Sequence, residues 1–150
     1  MSTLVSPESI AEAGAGLRGI AVRTPLLPAP WLSEAVEAAG HGPGAEQANA
    51  AAPADSAALR LPRGDIRLKC ECLQHAGAFK LRGAYTMVAR LSEADRRRGI
   101  ITYSSGNHAQ AVALTARIFG IPAVVVMPTT APAVKVEGAR RLGADVVFEG

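Results

Sequence analysis

Aromatic residues are scarce: three Phe, two Tyr and one Trp among 150 residues. A core must therefore be built from the plentiful Ala, Val and Leu, whose small aliphatic contacts suit helices packed on parallel strands. That favours an α/β fold. There are only two cysteines, Cys70 and Cys72. Two residues apart on an extended strand, their side chains point to the same face, which argues against a structural disulfide and for buried small hydrophobes. With His75 they make three potential zinc ligands, but a fourth is lacking and the spacing fits no common site, so no metal is expected. No run approaches the ~20 apolar residues of a membrane span, and the N-terminus lacks a basic start followed by an apolar core. No membrane association is expected, and a cytoplasmic location follows by default. The charge is also small, +3. Its arginines are scattered, and the one short run, Arg96 to Arg98, closes a predicted helix where cations favour the dipole. No nucleic-acid partner is indicated.

What is present is enough for one domain with appendages. Residues 1–36 read as an N-terminal helix and an extended arm. Ser6 and Pro7 supply a cap and a first helical position for a helix over 7–19. The run Gly14-Ala15-Gly16-Leu17-Arg18-Gly19 formally matches a dinucleotide fingerprint, but no apolar strand precedes it and no amphipathic helix follows, so it is read as helix termination. Thr24 to Pro28 is extended because each proline pushes its predecessor out of the helical region. Residues 37–63 are rich in Ala, Gly, Pro and small polar residues, a low-complexity stretch expected to loop out as a mobile insertion, with His41 as a solvated loop histidine. Residues 64–150 read as a small α/β domain. Strands are predicted over Ile66–Leu73, Gly99–Tyr103, Ile121–Met127 and Ala144–Phe148, with helices over Phe79–Leu91, Asn107–Phe119 and Pro132–Leu142 between them. Such alternation makes a parallel sheet with flanking helices, and ligands bind beyond the carboxyl ends of its strands. The loops after Leu73, Tyr103 and Met127 are the candidate site.

Two of these loops carry chemistry. In Ala78-Phe79-Lys80-Leu81-Arg82-Gly83 a lysine arrives at a helix start amid apolar neighbours. Partial desolvation and the positive helix end would both favour the free amine, which can attack a carbonyl. The plainer alternative is a surface lysine beside a surface arginine. In Ser104-Ser105-Gly106-Asn107-His108, backbone N–H groups and short polar side chains at a strand-to-helix turn suit a carboxylate. Ser105 offers a hydroxyl for proton exchange, Gly106 permits close approach of a ligand, and Asn107 can donate to an oxygen. An ordinary cap, with Ser105 serving the next turn's amides, fits equally well.

The ordered set Lys69-Cys70-Glu71-Cys72-Leu73-Gln74, Phe79-Lys80-Leu81-Arg82-Gly83-Ala84, Ser104 to Gln110, and Met127 to Pro132 with Lys135-Val136 resembles the fold-type-II pyridoxal-phosphate-dependent enzymes. It is most similar to the serine/threonine dehydratases (ammonia-lyases) and serine racemases, over roughly Ile66 to Gly150. The resemblance implies the tryptophan synthase beta-like fold, here incomplete, and pyridoxal 5'-phosphate as cofactor. It implies that Lys80 forms the internal aldimine and acts as base, Phe79 packs beside the cofactor ring, Asn107 bonds the ring hydroxyl, and Ser105, Gly106, Asn107 and His108 bind the substrate carboxylate. The implied reaction is β-elimination of L-threonine or L-serine to a 2-oxo acid and ammonia. Serine at position 105, as in racemases of the group, adds a possible racemisation. A small amino acid is the implied substrate, and a homo-oligomer the implied assembly of a full-length chain.

The sequence departs from the family in three places. Ala78 stands where many relatives have serine, the stretch before Gly64 is long, and the glycine-rich phosphate loop and the polar residue facing the pyridine nitrogen are not found downstream of Lys80. The expectation is thus the N-terminal part of such an enzyme. The alternatives are a catalytically inactive fragment that at most binds a partner chain, and a Rossmann-type nucleotide-binding module. The last requires an acidic ribose-binding residue where Ser104 and Ser105 stand.

Overall fold

Ala123 to Met127 is an unbroken apolar run, and in the computed structural model, which describes residues 5–40 and 66–150, it forms the central strand of a three-stranded sheet. The expected insertion lies almost wholly outside the described residues, as does His41. The described chain divides into two units, one from Thr24 to Cys70, the other joining the residues before Thr24 to Glu71–Gly150.

In the smaller unit, β1 (Leu26–Pro28) pairs antiparallel with β2 (Arg67–Lys69), Leu26 opposite Lys69 and Pro28 opposite Arg67. Between them α2 (Pro30–Gly40) starts on a proline, whose missing N–H costs nothing at the first helical position. Buried Ser33 ties this helix back: its Oγ donates to the Ala29 carbonyl and accepts from Ile66 N–H at 3.2 Å. The strand expected over Ile66–Leu73 is therefore corrected. Only Arg67–Lys69 is extended, its partner is antiparallel, and the chain then turns through a 3₁₀ segment, Glu71–Leu73. The cysteines are not buried hydrophobes: Cys70 is half-buried and Cys72, in that turn, is exposed.

The larger unit holds α1 (Pro7–Gly16), α3 (Lys80–Ala89), α4 (Glu93–Arg97), β3 (Ile100–Tyr103), α5 (Asn107–Phe119), β4 (Ala123–Met127), α6 (Ala133–Arg141) and β5 (Asp145–Phe148). Ser6 caps α1 by accepting from Ser9 N–H, and the helix ends at Gly16, so the glycine run terminates a helix as expected. Strands β3, β4 and β5 lie side by side in that order, all parallel, with Ile100 opposite Ala123 and Val124 opposite Asp145. Residues alternate between faces with period two. Ala123, Val125 and Met127 point to one face, where Ala109, Ala113 and Ala116 of α5 and Val136 and Ala139 of α6 close over them. Alanine on the helices lets them approach the sheet closely, which is how a chain poor in aromatics fills a core. On the other face Ile101 and Tyr103 are 73% and 69% exposed. A second cluster joins α3 to α5 through Leu81, Ala84, Ala111 and Val112, and Tyr85 stacks on Phe119 at 5.1 Å.

Two glycines set element ends. Gly120 closes α5 at φ +64°, a conformation glycine adopts without steric cost. Gly99 precedes β3 at φ +85°, and a Cβ there would stand 2.8 Å from the Pro122 carbonyl oxygen. That oxygen accepts the Ile100 N–H, the first bond joining β3 to its neighbour. Gly99→Ala is expected to cost about 2–3 kcal/mol, left-handed strain plus displacement of that contact. A lowered urea midpoint at unchanged slope would register it.

Candidate active site

The chain's three lysines are Lys69, Lys80 and Lys135. Two have engaged ammonium groups: Lys69 Nζ donates to the Thr24 carbonyl at 2.5 Å and Lys135 Nζ to Asn107 Oδ1 at 2.8 Å. Lys80 is different. It opens α3, and its Nζ lies 4.9 Å from the centroid of the Phe79 ring. The expected desolvation is not met, since Lys80 is exposed and Phe79 is 57% exposed. The apolar neighbours in its sequence point elsewhere: Leu81, which follows it, is fully buried against α5. Among the described residues its exposed ammonium meets the face of the Phe79 ring.

The approach to Lys80 is rigidly built. Buried Gln74 accepts from Val22 N–H through Oε1 and donates to the Val22 carbonyl through Nε2, both at 2.9 Å, completing a sheet-like pair with a side chain. Arg82 meets Glu71 with two bonds, of 2.9 and 2.7 Å, and reaches the Val22 carbonyl as well. Hydrogen bonding to Glu71 raises the guanidinium above its already high range, so it stays charged at any working pH. Between these anchors Ala76 and Gly77 adopt φ of +62° and +68°. Ala76 is the only non-glycine with positive φ among the described residues, a conformation costing an alanine about 1–2 kcal/mol. It reverses the chain just before Phe79 and Lys80. Sequence reading placed Gln74 in a motif without a role and missed Ala76, because these roles depend on a partner 52 residues away and on a backbone angle.

The second loop follows β3. Gly106 is the N-cap of α5, no side chain among the described residues caps the helix, and Ser104 Oγ accepts the N–H of Gly106, outside the first turn. Ser105 is half-buried and does not serve as the cap. The amides that open a helix have no intrahelical acceptors and carry partial positive charge. A Cβ at Gly106 would meet nothing within 4 Å, so the space beside it is open. Asn107 is exposed at the first helical position, and His108 is half-buried. The 3₁₀ turn His75–Gly77 ahead of Lys80 contacts α5, and α3 packs along it, so both loops are carried by one helix pair. An apolar groove between α1 and α3 lies elsewhere; lined by Ile10, Leu17, Thr86 and Met87 among others, it includes neither Lys80 nor Asn107. Among the described residues no cluster of three or more His, Cys, Asp or Glu could hold a metal ion, and no helix is long and apolar enough to cross a membrane.

Lys80 thus presents a primary amine at a helix start beside an aromatic face, and Asn107 stands beside an ammonium at the start of another helix. Residues 50–149 match the family model of the pyridoxal-phosphate dependent enzymes. The chain belongs to this family. It is 58% identical over 87 residues to an L-threonine ammonia-lyase of Thermotoga maritima, covering 58% of this chain and 22% of that protein. A catabolic L-threonine dehydratase of Staphylococcus aureus is 35% identical over 147 residues, covering 98% of this chain and 35% of that protein. Among solved structures, maize serine racemase superposes with a TM-score of 0.71 at 34% identity, covering 97% of this chain and 36% of that one. The chain thus spans between about a fifth and a third of these relatives' length. The parallel sheet with flanking helices is in keeping with the fold-type-II class of these enzymes, and pyridoxal phosphate is the family's cofactor.

Proposed function

We propose that this chain is the lysine-bearing N-terminal part of an ammonia-lyase that eliminates the β-hydroxyl of L-threonine or L-serine, giving a 2-oxo acid and ammonia, with serine racemisation as a second outcome at the same site. The observation that carries it is the uncapped start of α5 on the helix against which the Lys80 helix packs. Relatives named as a threonine ammonia-lyase, a hydroxyaspartate ammonia-lyase and serine racemases support the class of substrate, a small β-hydroxy amino acid.

When bound, pyridoxal phosphate supplies an electron sink that makes the α-hydrogen of an amino acid acidic. Lys80 would hold it through Nζ, and Phe79 offers an apolar wall beside that amine. Asn107 would donate its amide to the ring oxygen. Ser105 to His108 would take the substrate carboxylate on the first-turn amides of α5, where its charge is favoured by about 0.3–1 kcal/mol or more. Displaced from the cofactor by the substrate's amino group, the freed Lys80 Nζ would accept the α-proton, and Ser105 Oγ is the second group able to carry one, which return of a proton to the other face requires.

The full-length chain loaded with pyridoxal phosphate, offered L-threonine and L-serine, is expected to release ammonia and 2-oxo acid in equal amounts and to form D-serine from L-serine. Bound cofactor with neither product would overturn this reading.

A further inference from the structure

We infer that Lys135 is a positioning residue: its ammonium fixes the side-chain amide of Asn107 with the nitrogen presented as donor to the cofactor's ring oxygen. This rests on the assignment of Asn107 above. The contact joins separate elements, since Asn107 opens α5 after β3 and Lys135 lies in the first turn of α6 after β4. Because β3 and β4 are adjacent and parallel, these two helix starts stand side by side at the carboxyl edge of the sheet. Pro132 holds the base of the second one, its carbonyl accepting the Lys135 N–H at 2.8 Å.

Chemistry decides which way the amide faces. An ammonium carries three donors and no acceptor, so it can only meet the amide oxygen. The 2.8 Å bond from Lys135 Nζ to Asn107 Oδ1 therefore excludes the flipped amide, which would bring N–H donors against a cation. With Oδ1 held, Nδ2 faces away from Lys135, and among the described residues it has no partner. Charge on the oxygen side also polarises the amide and strengthens Nδ2 as a donor. An asparagine that must donate to an oxygen is thus fixed as a donor before any ligand arrives, and a ligand bound to an already ordered group pays less to bind.

The test is a double-mutant cycle read as affinity for pyridoxal phosphate and as the visible band of the bound cofactor, on the full-length chain. Lys135→Met should weaken cofactor binding on the order of threefold to tenfold, and Lys135→Arg, which keeps a cationic donor, should restore most of it. Asn107→Ala alone should weaken binding and shift the band, and adding Lys135→Met to it should change neither further. Equal losses in both backgrounds would put Lys135 on the ligand itself and overturn the inference, and so would wild-type binding by Lys135→Met. If Asn107→Ala alone leaves affinity and band unchanged, the assignment of Asn107 falls, and this inference with it. Circular dichroism of each variant verifies the fold.

Discussion

Lys80→Ala is expected to abolish the stable adduct that borohydride reduction leaves on the wild-type chain in the presence of pyridoxal phosphate, and to reduce turnover at the proton-transfer step by roughly 10²–10⁴-fold. Tryptic mass spectrometry locates the adduct. The chain contains two other lysines, each already donating to an oxygen, so a label on Lys69 or Lys135 in the wild type would sink the assignment. The substitution removes an exposed side chain whose neighbour is an exposed ring, and such surface changes usually shift stability by within about 0.5 kcal/mol. Loss of the adduct with an unchanged unfolding midpoint is therefore the expected signature.

The next residue should behave in the opposite way. Leu81 is fully buried between α3 and α5, with Ala84, Ala111 and Val112 around it. Its three buried neighbours end at Cβ or at a short branch and cannot reach into the space, while the longer Tyr85, Ile100 and Leu114 are half-buried at the cluster's margin. Leu81→Ala should cost about 2–5 kcal/mol, the lost transfer free energy plus a cavity that relaxes poorly. Against a typical stability of about 5–15 kcal/mol this is a large fraction. Denaturant unfolding at constant slope measures it. Residual folded protein should still take the borohydride label on Lys80, though more weakly, because the anchor of the helix start has been loosened. A change below 1 kcal/mol would mean that α3 is not held on α5 through this leucine.

Much of the larger unit could be read from the residues themselves. Asn107–Phe119 was expected with the bounds it has, since Gly120 supplies a left-handed stop and Ser104 to Gly106 cannot continue a strand. The runs around Val125 and Val146 are strands within two residues of the expected limits. The smaller unit was less legible. Pro30–Gly40 is a helix that composition obscured, because Ala and Gly beside a proline-rich arm resemble loop. The strand over Ile66–Leu73 was overextended because Cys70 and Cys72 continue its alternation, whereas Gln74 leaves the line to bond Val22 and turns the segment. In the candidate site, the loops of Lys80 and of Ser105 to His108 fitted plainer readings equally well, and only their order along the chain, as a family resemblance, named these residues. The Lys135 contact to Asn107 was not, because 28 residues separate the pair and only the pairing of β3 with β4 brings them together.

The order of strands in the larger sheet has a kinetic consequence. Each strand pairs with the next one in the chain, Ile100 with Ala123 and Val124 with Asp145, so every closure there spans only about twenty residues. The β1–β2 ribbon must instead join Leu26 to Lys69 across a much longer stretch, for only three residues of pairing. Short closures that bury a shared alanine and valine core form early, and a long closure with little reward forms late. Synthesis, however, delivers β1 first. The emerging arm has to wait for Arg67–Lys69 before its strand has a partner, while the three parallel strands assemble from residues that leave the ribosome nearly together.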